Sequence, residues 1–141
     1  MNDKSLPVAF APRLVSGERL GAITSLIGEG AQFEGDFQTS RDLGLRVDGR
    51  LKGAIRFDKG GAVHIGPSGV VENTVIEADH VFIEGKVSGS IIARKTLELS
   101  GTSTLIGDAA YDTLLDIHPR AKVRGKLEYR GDLEGLSNGL R

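Results

Sequence analysis

Three histidines, His64, His80 and His118, are the first side chains in this sequence to test for chemistry. His64 and His80 lie 16 positions apart, but a metal site needs at least three ligands within about 2–2.2 Å of one point. His64 lies between Val63 and Ile65, and His118 follows Ile117, in stretches whose alternate apolar residues point inward. Both are therefore expected on the outer surface. The chain has no Cys, which removes disulfides, zinc–thiolate sites, iron–sulfur clusters and thiol nucleophiles. Glu77 with Asp79, and Glu72 with Glu84, have the residue types of an acid–base pair. Such a pair needs a concave, water-poor pocket to separate its two pKa values, and the expectation here is a solvated face. No Ser or Thr sits beside a His that could serve as its base. Gly28-Glu29-Gly30 lacks the third glycine, the preceding strand and the following helix of a dinucleotide loop. Arg130-Gly131-Asp132, an integrin-type tripeptide, is read as chance. The residues thus assign no catalytic group, no cofactor and no metal.

The elements that carry these residues follow from a repeat. Glycine makes up 20 of the 141 residues, aromatics only 5%, and Trp is absent, a composition of turns and small strands. One pattern recurs, with an apolar residue on each side of a central Gly or Asn: Phe33–Phe37, Leu51–Ile55, Val71–Val75, Val87–Ile91, Leu105–Ala109 and Val123–Leu127. The centres are Gly35, Gly53, Asn73, Gly89, Gly107 and Gly125, at intervals of 18, 20, 16, 18 and 18. Asn is the residue that best replaces Gly at positive φ, so a bend is expected at each centre. Between the bends run Leu45/Val47, Val63/Ile65, Val81/Ile83, Leu97/Leu99 and Leu115/Ile117, with Ile27 as a partial first member. A third strip follows the bends: Ile55/Phe57, Ile91/Ala93, Ala109/Tyr111 and Leu127/Tyr129. Alternation with period two indicates strand, and no window carries a convincing helical stripe. Three short strands and about 18 residues per repeat describe one coil of a β-solenoid, which buries its apolar side chains only by stacking on its neighbours.

The spacing predicts Val47, Ile65, Ile83, Leu99 and Ile117 in one internal column. A left-handed hexapeptide helix also has 18 residues per coil, and Ile65-Gly66, Val71-Glu72 and Ile83-Glu84 fit its phase. Glu77 and the intervals of 16 and 20 break strict hexads. That alternative would make the chain a trimeric acyltransferase or carbonic anhydrase; a second alternative is a β-helix scaffold that binds a partner without polymerising. Residues 1–22 carry Pro7, Pro12, Gly17 and Gly21 outside the repeat and read as a flexible tail, 23–131 as the β-helical domain, and 132–141 as a second tail. No stretch approaches the roughly 18 apolar residues of a membrane span, and no signal peptide is visible.

Charge is balanced overall, with 18 Lys+Arg against 19 Asp+Glu, which argues against whole-chain attraction to nucleic acid. It is uneven locally. Arg120, Lys122, Arg124, Lys126 and Arg130 alternate through the last repeat, while Glu72, Glu77, Asp79 and Glu84 cluster in the third. Arg120, Lys122, Arg124 and Lys126, with Leu6, Val8 and Phe10 of the first tail, are the candidates for contact with a membrane or a partner. A β-helix has two open edges. Phe33 and Phe37 in the first coil and Leu127 and Tyr129 in the last are the candidate polymerisation interface.

The stretches Thr24–Gly30, Phe33–Asp36, Leu45–Gly53 and Val81–Gly89 resemble the bactofilins, and the resemblance covers about residues 24–130. It implies an all-β, right-handed parallel β-helix of about six coils with flexible tails at both ends. It also implies a cytoskeletal protein that polymerises through the ends of its β-helix into nucleotide-independent, non-polar filaments. Such proteins lie in the cytoplasm, often at the inner face of the cytoplasmic membrane, and recruit cell-wall enzymes or other cell-shape factors. The implied partner is the chain itself, with weak membrane association, no nucleic acid and no enzymatic activity.

Overall fold

The structure, a computed structural model, describes residues 25–131. The expected tails at 1–22 and 132–141, and with them Leu6, Val8 and Phe10, lie outside the described residues. Fourteen strands pair in parallel as six stacked coils, and no helix occurs among the described residues. Coil 1 comprises β1 (Ser25–Ile27), β2 (Gln32–Glu34) and β3 (Phe37–Thr39), and coil 2 comprises β4 (Gly44–Val47), β5 (Arg50–Lys52) and β6 (Ile55–Phe57). β7 (Ala62–Ile65) opens coil 3. The long strands β8 (Val70–Ile83) and β9 (Lys86–Leu99) then turn the corners of coils 3, 4 and 5. Coil 5 ends with β10 (Thr104–Ile106) and β11 (Ala109–Tyr111), and coil 6 comprises β12 (Leu114–Ile117), β13 (Lys122–Arg124) and β14 (Leu127–Tyr129). At about 4.8 Å per coil the rod is roughly 30 Å long.

The registers place Ile27, Val47, Ile65, Ile83, Leu99 and Ile117 one above another on a single side. Val47, Ile65, Ile83 and Leu99 are fully buried, whereas Ile27 and Ile117, in the end coils, are half-buried. Side chains of Leu, Ile and Val fill the interior, with Phe57 the one buried aromatic among them.

The corners explain the glycines. Gly35, Gly53, Gly89, Gly107 and Gly125 all have φ between 137° and 148°, a region that only glycine enters readily. Space is a second constraint: a Cβ at Gly107 would land on the carbonyl oxygen of Gly89 one coil below. The third coil corrects the sequence reading. Asn73 does have positive φ (50°), but it is an inserted residue, and the ladder places Thr74 opposite Gly89. Ile76, not Val75, therefore points inward and is fully buried. The register is recovered between Ala78 and His80. There Arg94 of the next coil closes the irregularity. Its Nε donates to Asp79 Oδ1 (2.9 Å), and Nη2 donates to the carbonyls of Phe57 (2.6 Å) and Gly60 (3.0 Å).

Candidate assembly surfaces

The two ends differ from the rest of the rod. β1, β2 and β3 each pair on one side only, and so do β12, β13 and β14, leaving a row of open backbone groups at each end. The exposed large apolar side chains gather there. Leu26 and Phe33 are in coil 1, and Leu114, Leu127 and Tyr129 are in coil 6; among the described residues only Ile106 is exposed elsewhere. Phe33 is 40% exposed, whereas Leu51, its register partner in coil 2, is 1% exposed. Leu127 is 39% exposed above Ala109 at 3%. Phe37 is half-buried, with its ring 5.7 Å from that of Phe57, and the Tyr129 ring lies 5.5 Å from that of Tyr111 at a tilt of 56°. All four residues expected at the polymerisation interface thus lie in the end coils, two at each end.

Each end coil is pinned to its neighbour by an aspartate at the glycine corner. Asp36 Oδ1 accepts from the backbone N–H of Ala54 (3.0 Å), and Asp108 Oδ1 accepts from that of Lys126 (3.0 Å). Arg120, Lys122, Arg124 and Lys126 are exposed on coil 6, and Lys122 and Arg124 flank the half-buried Val123.

The other candidates for chemistry are structural. Against expectation, His64 is buried, at 6% exposure. Its outward column is stacked as tightly as the inner one: Arg46 lies below, and the Phe82 ring lies 4.8 Å away on the next coil. Nε2 of His64 is 2.6 Å from Glu84 Oε1, and Arg46 Nη1 faces Nδ1 at 3.4 Å, which places the imidazole proton on Nε2. Glu84, expected to be solvated, is buried with it. The 18-residue spacing of Arg46, His64 and Phe82 was the available signal, and it lies on outward positions that sequence patterning treats as solvent. His80 Nδ1 meets Thr96 Oγ1 at 2.9 Å, and the His118 ring accepts from the N–H of Arg120. The acidic third coil is neutralised from neighbouring coils, through Arg50 to Glu72, Arg94 to Glu77 and Asp79, and Lys95 to Asp79. Glu77 and Asp79 share Arg94, and Glu84 is paired with His64. An open groove of about 600 Å³ crosses Val75, Ile92, Ala110 and Leu127, and no histidine borders it.

The family model described as bactofilin, polymer-forming cytoskeletal, matches residues 25–128, nearly all of the stacked coils. This chain belongs to the bactofilin family. Its match to the curated bactofilin BacO of Myxococcus xanthus (strain DK1622) is 29% identical over 124 residues, covering 86% of this chain and 95% of that protein. No solved structure matches it. As a bactofilin the chain is a member of a structural, polymer-forming cytoskeletal family, and six stacked coils with open ends are the form it takes. Among the described residues no helix is long and apolar enough to cross a membrane.

Proposed function

We propose that this bactofilin assembles end to end into filaments without nucleotide and serves in the cytoplasm as a scaffold for cell-shape or cell-wall factors, with no catalytic activity of its own. The observation that carries the reading is the concentration of exposed apolar side chains in the two end coils, beside unpaired strand edges. Joining two ends completes the backbone ladder and covers Phe33, Leu127 and Tyr129 in one step. An interface at the ends of a rod does not close on itself, so addition continues as a filament. Leu6, Val8 and Phe10 are assigned to weak contact with the inner face of the membrane, and the exposed basic residues of coil 6 to partners.

The test is electron microscopy and pelleting of the purified full chain, with and without ATP or GTP. Filaments are expected in both conditions. Filaments that form only with nucleotide, or none at all, would refute the reading. Tyr129→Arg is expected to remain in the supernatant as a folded protein, because the joint would bury an unpaired charge whereas the free end leaves it in water. Removing residues 1–22 is expected to leave pelleting intact; liposome co-sedimentation unaffected by that removal would end the membrane assignment.

A further inference from the structure

We propose that the segment preceding β1, residues 11–24, folds back along one side of the rod and is seated on Phe82 and Glu98. That side is built from β1, β4, β7, the ends of β8 and β9, and β12. The inference concerns the single molecule and stands whether or not the rods join end to end.

The first observation is burial on the outside. The registers run Leu26, Arg46, His64, Phe82, Glu98 and Asp116 along the outer surface of this side. Val81 and Ile83, on either side of Phe82 in the chain, point inward and are fully buried. Stacking along the rod closes His64 between Arg46 and Phe82. Stacking covers the flanks of an outward side chain, which stands roughly perpendicular to the sheet, and leaves its tip to water. Yet Phe82 is 2% exposed and Glu98 3%, and Thr96, also outward in β9, is 6%. Phe82 has no part in the interior cluster. The other two sides show what stacking alone achieves. In coils 2 to 5, between the corners, their outward residues Lys52, Arg56 and Lys86 are exposed and Glu77 and Ile92 half-buried. Only Ala110, a single methyl, is covered there.

The second observation is the chemistry and reach of the segment. A cover for this side must be apolar at Phe82 and bring a cation or donors to the carboxylates of Glu98 and Asp116. Residues 11–24 carry Leu14, Val15 and Leu20 together with Arg13 and Arg19, against the single acid Glu18. The chain enters β1 at Ser25 on this same side, three coils from Phe82 and four from Glu98. At about 4.8 Å per coil those distances are roughly 14 and 19 Å, and about six extended residues span the longer one. Residues 132–141 suit the seat poorly: they begin with Asp132 and Glu134, and their one cation is Arg141 at the far end. Such a segment would set carboxylates against Asp116 and Glu98. While residues 11–24 are seated, this side is closed and partners meet the other two; Leu6, Val8 and Phe10 precede the seat.

The chain has no Trp, so Phe82→Trp places a single reporter at the seat. In the full-length chain that also carries Tyr129→Arg, the reporter should emit to the blue and be shielded from acrylamide. Replacing residues 11–22 with a glycine–serine sequence of equal length should move the emission to the red and raise quenching severalfold. The same replacement of residues 132–140 should leave both unchanged. Shielding that survives the first replacement, that is lost in the second, or that disappears on dilution, as cover by a second copy would, overturns the proposal. If Phe82→Trp does not fold, carbodiimide labelling of Glu98 in the chain with Phe82 intact reads the same seat. Glu98 should be protected in the full chain and labelled severalfold faster once residues 11–22 are replaced; equal labelling overturns the proposal. Neither readout depends on filaments, so pelleting tests the assembly reading separately.

Discussion

The central coils and the end coils are built from the same repeat and meet opposite demands. In the centre every inward side chain has a neighbour above and below, so Leu51, Ile65 and Ile83 are sealed from water. At the ends the same positions have one neighbour, and Phe33, Leu127 and Tyr129 remain more than a third exposed. At two end positions the side chain is also larger than its neighbour in the rod: Phe33 beside Leu51, and Leu127 beside Ala109. The comparison teaches that solenoid stability belongs to the interfaces between coils, and that each end leaves such an interface half made.

Substitutions can break this contrast, and their effects on the monomer should fall in a definite order when measured in the Tyr129→Arg background, which is expected to stay unassembled. Ile83→Asp should have the largest effect, because it buries a charge without a partner in mid-column; loss of β-structure by circular dichroism at 25 °C is expected. Next comes a matched pair on one side of the rod. Leu51→Ala should cost about 2–5 kcal/mol in denaturant unfolding, and Phe33→Ala, its neighbour in the end coil, under about 1 kcal/mol. Equal costs would erase the distinction between centre and end. Gly107→Ala should cost about 2–3 kcal/mol, since both φ and the Gly89 carbonyl oppose a side chain, whereas Gly28→Ala meets open space and should be close to neutral. A local effect is expected for Asp108→Ala, about 1 kcal/mol, seen as faster hydrogen exchange of the Lys126 amide with the central amides unchanged.

Much of this fold could be read from the sequence, because one spacing governs it. Residues 18 apart stack, so the inner column from Val47 to Ile117 and the corner glycines are visible as a periodicity. Where the period slips, the reading slips too. Asn73 satisfied the expectation for a bend, and nothing in the sequence distinguished it from Thr74 as the corner residue; the answer lay in the compensating irregularity at Asp79, clamped by Arg94. His64 and Glu84 were misplaced because an outward position on a flat, stacked face is closed off by its neighbours along the rod, which two-fold alternation does not express. The residues of the ends were nameable from their place in the repeat.

The hydrogen bonds between coils all run along the long axis of the rod. A pull along that axis therefore loads the three-sided ladder of a coil at once, with no single strand to peel first. Within the rod, the aspartate at the Asp36 corner and the guanidinium of Arg94 add side-chain ties between coils that resist unzipping from one side. In the proposed filament, tension would part the joints before the rods, so that a broken thread would present fresh ends to rejoin.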